Sequence, residues 1–337
     1  MKTTCFATLW CVALFLVPAV AQESHEQLLR HWAYEKNLPL NVKQAGVEER
    51  DGAKIYDISY ESPVAERAKA VGPNGGIVTA YLVVPSGEGP FAAVIYGHWC
   101  MPGSEKENRT EFLDEAIVLA RSGVISLLLD HVAVNPGFVE DKSPLNEQQV
   151  AVDVQQDINI RRGADLLAAR ADVDPKRLAY VGHSCDAFAG AFLSGIDRRF
   201  KVFVLMAGGW PDDVMRKAKW FEEFRQKIGP EKCDAFQAAH SWADTGKYVS
   251  HAAPAAVFLQ FASDEPFVTA EMDKDYFAAV SEPKQMKIYT APHALNAEAT
   301  RDRVAFLSAQ LSFKAPDPKA VAAIPALVQP PWPKDAP

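Results

Sequence analysis

Cysteine is scarce in this chain, five in 337 residues, and two of them, Cys5 and Cys11, sit in the apolar N-terminal stretch. A small disulfide scaffold is therefore excluded. Positive charge is also in deficit, with 35 Lys and Arg against 43 Asp and Glu and a net charge of −8. That balance argues against a nucleic-acid binder or a protein drawn to anionic lipid. No HExxH helix is present, because His25 and His31 flank Glu26 at the wrong spacing. No zinc site is suggested. There is no internal repeat, and no run after the N-terminus is long and apolar enough for stable membrane insertion.

What the N-terminus does contain is Lys2, an apolar run from Phe6 to Val17, and Ala19-Val20-Ala21. The order of charge, short apolar run and small residues reads as a signal peptide over residues 1–21, so the protein is expected to be secreted or periplasmic. Its removal leaves a net charge of −9 and three cysteines, Cys100, Cys185 and Cys233. An odd number requires at least one unpaired thiol within the chain. The favoured expectation is three thiols. The competing one is a bridge between Cys100 and Cys185, whose two loops should converge.

Residues 22–90 read as a helix over Glu23–Lys36 and two antiparallel strands near Ala53–Tyr60 and Ile77–Pro85. From residue 91 short, wholly apolar runs recur at Ala92–Tyr96, Val124–Leu129, Leu178–Val181, Val202–Met206 and Ala256–Phe261, with helical windows such as Phe112–Arg121 and Gln148–Arg170 between them. Buried parallel strands have this pattern, and alternation with helices predicts an α/β fold with a central, mostly parallel sheet. The α/β core is expected over residues 91–313, followed by a Pro- and Ala-rich tail over 314–337. Residues 210–253 interrupt the alternation with amphipathic stretches, Val214–Ile228 and Cys233–Ala239. An insertion after a strand's carboxyl end overlies the ligand crevice, so a small helical cap is expected. Its Trp220, Phe221 and Phe224 lie at helical spacing, which serves core packing as readily as substrate contact.

The strongest chemical signal is Gly182-His183-Ser184-Cys185-Asp186, directly after the strand-like Leu178–Val181 and before the small-residue helix Ala187–Gly195. A nucleophile elbow needs this context: the sharp turn lifts the Ser hydroxyl above the sheet and aims the next N–H, that of Cys185, at a developing oxyanion. Asp186 stands where a small residue normally lets the turn pack. A carboxylate there should either point away from the oxyanion or pair with a nearby donor, His98 or His183. At the end of Ala256–Phe261 stands Ala262-Ser263-Asp264-Glu265-Pro266. Asp264, nearest the apolar strand, is the expected acid and Glu265 the runner-up. His293, in Pro292-His293-Ala294, follows in the order Ser, acid, His that this chemistry uses in α/β folds. Tyr96-Gly97-His98-Trp99 closes the first parallel strand, and the N–H of His98 or Trp99 is expected to complete the oxyanion hole.

At these four places the chain resembles the α/β-hydrolase superfamily, and within it the dienelactone-hydrolase-like and acetyl-xylan-esterase-like serine hydrolases. The residues that carry the likeness are the loop from Tyr96-Gly97-His98, the elbow GHSCD, Gln260–Val268 (QFASDEPFV) and Tyr289–Arg303 (YTAPHALNAEATRDR). Two positions depart from the pattern: Tyr96 replaces the His of a His-Gly oxyanion motif, and Asp186 replaces the last Gly of the elbow. The resemblance implies an acyl-enzyme mechanism on Ser184, with His293 as base and then acid, Asp264 orienting it, and no cofactor or metal. The implied substrate is a small-molecule or carbohydrate-linked ester. A lactone, thioester or peptide bond cleaved by the same residues, or a binding protein with a degenerate site, are the competing functions. Nucleic acid is not an expected partner.

Overall fold

The computed structural model describes residues 23–332 apart from residues 73, 136 and 137. The signal peptide expected over 1–21 lies outside the described residues, as do residues 333–337 of the expected tail. Nine strands form one sheet in the order β1-β2-β3-β5-β4-β6-β7-β8-β9. They are β1 (Lys43–Arg50), β2 (Ala53–Glu61), β3 (Ile77–Pro85), β4 (Phe91–Gly97), β5 (Val124–Leu129), β6 (Val173–His183), β7 (Phe200–Met206), β8 (Ala256–Asp264) and β9 (Lys284–Pro292). Pairing is antiparallel from β1 through β3 to β5, and parallel through the six strands from β5 to β9.

The apolar runs become the central strands because both faces of the sheet are covered. All six residues of β5, VISLLL, are buried. The flanking helices are α1 (His25–Arg30), α2 (Leu113–Ala120), α3 (Glu147–Ala168), α4 (Cys185–Ile196), α5 (Asp212–Met215), α6 (Lys219–Ile228), α7 (Pro230–Ala239), α8 (Gly246–Val249), α9 (Ala270–Ala279), α10 (Ala297–Leu311) and α11 (Pro318–Ala322). Alternate strand residues enter two separate cores. Ile95 and Leu127 pack with Ile160 of α3, Ala191 of α4 and Tyr276 of α9. Val94 and Leu128 pack with Ile117 of α2 and Leu307 of α10 on the other face. A buried ion pair, Arg303 Nε to Glu115 Oε1 at 3.1 Å, ties α10 to α2, and the Tyr96 hydroxyl donates to the same carboxylate oxygen. Such a pair gains its stability from satisfied hydrogen bonds more than from charge alone.

Three elements differ from the sequence expectation. Strand β1 was not anticipated, because its KQAGVEER has no buried residue and its signal is only backbone pairing to β2. The N-terminal helix is shorter, His25–Arg30, and starts on a capping box between Ser24 and Gln27. The stretch Val214–Ile228 is broken, with α5 ending at Met215 and α6 starting at Lys219. The region expected as a cap carries α5 to α8 between β7 and β8.

Candidate active site

Strand β6 ends at His183, and Ser184 is the N-cap of α4 with φ 56° and ψ −114°. A non-glycine residue in that left-handed region is strained, and such strain persists only where surroundings over-determine it. Here the Ser184 N–H donates to the Met206 carbonyl of β7 at 2.8 Å. A Cβ on Gly182 would stand 2.2 Å from the Asp186 carbonyl oxygen, so only glycine lets the elbow close.

His293 follows β9, and its Nε2 accepts from Ser184 Oγ at 2.9 Å. Its Nδ1 lies 2.7 Å from Glu265 Oε2, with both side chains nearly inaccessible to water. The acid expected from sequence was Asp264, and the structure puts Glu265 there instead. The parallel pairing of β8 extends three residues past its apolar run, to Asp264, which pairs with Pro292 of β9. Asp264 is exposed and its carboxylate accepts from the Ser263 hydroxyl at 2.9 Å. The first residue beyond the strand, Glu265, is the one that turns inward, and its longer side chain spans the gap. Burial lowers the pKa of His293 from the ordinary imidazole value, against the hydrogen bond and charge of Glu265, which raise it.

The oxyanion loop also departs from expectation. The N–H of Trp99 donates to Glu111 Oε2 at 2.6 Å, while that of His98 lies near the carboxyl of Asp186 without a direct hydrogen bond. Of the two expected loop donors, Trp99 is therefore engaged. Among the described residues no acceptor takes the N–H of Cys185 or that of Cys100. These two residues are joined by a disulfide with their Cα atoms 5.8 Å apart, which overturns the favoured expectation of three thiols. Cys233 remains a buried thiol. Alkylation of the non-reduced protein under denaturing conditions should therefore modify Cys233 and neither Cys100 nor Cys185, read by peptide mass. Modification of all three would remove the bridge.

Asp186 is fully buried, and its carboxyl accepts from the Gln156 amide at 2.9 Å. Burial pushes its pKa far above the usual carboxylate range, against the lowering by Gln156 and the His98 N–H. That shift favours the uncharged form of a carboxyl standing beside the oxyanion. The rings of His98 and His183 both pair elsewhere, that of His98 with the Trp99 carbonyl and the His131 N–H. His183 Nδ1 meets Glu111 Oε1 at 2.7 Å while its Nε2 donates to the His293 carbonyl at 3.0 Å. Glu111 thus holds both the Trp99 backbone and, through His183, the His293 loop. No sequence motif singled out Glu111, because it lies in an irregular segment before α2.

Two groups from the Pro-rich C-terminal segment also reach this place. Gln329 Oε1 accepts the N–H of Ala294 at 3.0 Å, and the Trp332 ring lies 5.3 Å from that of His293. The only sequence hint was a large aromatic in a stretch otherwise lacking one, Pro330-Pro331-Trp332-Pro333. On the other side of the elbow, a cleft of about 940 Å³ is lined by Cys100 and Phe188 together with Glu107, Glu140, Asp141 and Asp153. No Lys or Arg lines it.

No protein-family model matches the chain, and no curated protein is significantly similar to it. Solved structures share its fold. An acetyl xylan esterase from Paenibacillus sp. R4 superposes with a TM-score of 0.65 at 16% identity, covering 87% of this chain and 96% of its own. Acetyl xylan esterase 1 from Thermoanaerobacterium sp. JW/SL YS485 gives 0.64 at 12% identity, with 84% and 92% covered. A glucuronoyl esterase from Solibacter usitatus gives 0.54 at 14% identity, with 85% and 91% covered. The fold is that of the α/β hydrolases, as the sequence implied.

Proposed function

We propose that the protein hydrolyses carboxylic esters through an acyl-enzyme on Ser184, with His293 as the proton carrier and Glu265 as the acid that orients it. The observation that carries this reading is the continuous chain from Ser184 Oγ to His293 Nε2 at 2.9 Å and from His293 Nδ1 to Glu265 Oε2 at 2.7 Å, built on an elbow with positive φ.

Ser184 Oγ attacks the ester carbonyl while its proton passes to His293 Nε2. The tetrahedral oxyanion takes the free N–H groups of Cys185 and Cys100, which the disulfide keeps close to each other. Collapse expels the alcohol, which receives the proton from Nε2. Water then attacks the acyl-enzyme, giving its proton to the same nitrogen; collapse breaks the bond to Ser184 Oγ, which takes that proton back from Nε2 as the carboxylic acid leaves. Glu265 accepts from Nδ1–H throughout, fixing the tautomer that leaves Nε2 free to act as base and favouring the imidazolium formed in each step.

The acidic cleft beside the elbow disfavours anionic substrates and suits neutral esters, including carbohydrate-linked ones. The disulfide supports an oxidising compartment and so the expected export, and among the described residues no helix is long and apolar enough to cross a membrane.

The pH dependence tests this reading. A catalytic imidazole with a lowered pKa stays a neutral base at pH 6.5 and is protonated only as the pH falls further. The acidic limb of kcat/KM for p-nitrophenyl acetate should therefore have its midpoint below 6.5. A midpoint above the ordinary imidazole value, or hydrolysis with no acidic limb, would contradict His293 as the base.

A further inference from the structure

The C-terminal segment after α11 crosses the mouth of the candidate active site. Leu327 and Trp332 pack against Trp99, Met101 and Ala294. Gln329 fastens the segment beside the site through one amide, its Oε1 accepting from the Ala294 N–H at 3.0 Å and its Nε2 directed to Met101 Sδ at 3.6 Å. Trp332 then stands beside the imidazole of His293, 5.3 Å between ring centres, and meets Phe267 edge-on at 5.0 Å. Phe267 in turn lies 6.0 Å from His293, and its carbonyl accepts from the indole of Trp220 at 2.8 Å. Trp220 comes from α6, in the inserted region, and Phe267 from the loop that carries Glu265. Trp332 and Phe267 thus bring rings from two segments to the flank of the histidine, and Trp220 from a third segment packs on Phe267.

That flank has a defined chemical meaning if the acyl-enzyme reading above holds, and the inference rests on it. His293 Nε2 must deliver its proton to the departing oxygen, so groups beside the imidazole face the alcohol half of the ester rather than its acyl half. We propose that Trp332, with Phe267 and Trp220, forms the leaving-group subsite, so that the C-terminal segment determines specificity and the enzyme prefers esters whose alcohol carries a flat aromatic ring. None of the three rings is fully buried, which leaves surface for such a ring to cover. Edge-to-face contact with one or two aromatic rings, added to the area buried, suffices for roughly a tenfold preference.

Benzyl acetate and ethyl acetate test this, because they share an acyl group and their alcohols have nearly equal acidity, so the chemical step is matched. The wild type should favour benzyl acetate by about tenfold or more in kcat/KM, chiefly through KM. Trp332→Ala should bring that ratio to within about twofold, and Trp332→Phe should keep most of it. Reaction of Ser184 with a fluorophosphonate, measured alongside, reports whether each variant retains its folded site. If Trp332→Ala labels at Ser184 yet keeps the wild-type ratio, or if the labelled wild type treats the two esters alike, the subsite is overturned and the acyl-enzyme reading stands. A wild type that neither labels nor cleaves either ester overturns both.

Discussion

Glu265→Gln should lower kcat by about 10³- to 10⁴-fold, while Asp264→Asn should leave it within about threefold of wild type. The two acids are adjacent in sequence, and only the geometry separates them. Glu265 Oε2 is 2.7 Å from His293 Nδ1 and nearly inaccessible to water, whereas Asp264 is exposed and bonded to Ser263. An amide at position 265 can turn its NH₂ toward Nδ1 and so stabilise the tautomer with the proton on Nε2, where it cannot act as base. It also removes the charge that favours the imidazolium. Asp264 touches nothing on the reaction path. The measurement is kcat on one ester for both variants, with circular dichroism confirming the fold. A large loss in Asp264→Asn with a small one in Glu265→Gln would reverse the assignment.

Ser184→Ala and His293→Ala should each lower kcat by about 10⁴-fold or more, which corresponds to roughly 5 kcal/mol of lost transition-state stabilisation. The losses should not add. Ser184→Ala combined with Glu265→Gln should be no slower than Ser184→Ala alone, since the acid acts only through the imidazole that serves the hydroxyl. Residual turnover from the oxyanion N–H groups would persist in all three. Losses that multiply in the double variant would mean that Glu265 contributes by a separate route.

The parallel strands were legible because burial on both faces requires continuous apolar runs, and β5 spans the same Val124–Leu129 that its composition marks. Strand β1 was not, since an exposed edge strand is specified by backbone pairing and its side chains carry no period. In the site, Ser184 and His293 were readable because each sits at a junction between elements. The acid was misplaced by one residue because strand ends follow pairing, and β8 continues through Ala262, Ser263 and Asp264 after its apolar signal stops. The oxyanion loop was misread for a different reason. A hydrogen bond to the buried carboxyl of Glu111 takes the Trp99 N–H, and that acid lies 12 residues away in sequence from its partner. Asp186 itself looked like a defect because sequence assigns a carboxyl its charge. Its burial, seen only in the fold, favours the neutral form. The Cys100–Cys185 bridge and the approach of Trp332 to His293 are likewise tertiary facts with no local pattern.

An activated Ser184 nucleophile is the central requirement of ester hydrolysis at this site. Incubation of the purified, oxidised protein with a fluorophosphonate, followed by peptide mapping, should show one adduct per chain, on Ser184. The adduct should be absent in Ser184→Ala and should form far more slowly in Glu265→Gln. No adduct in the wild type, or an adduct on any other residue, would contradict it.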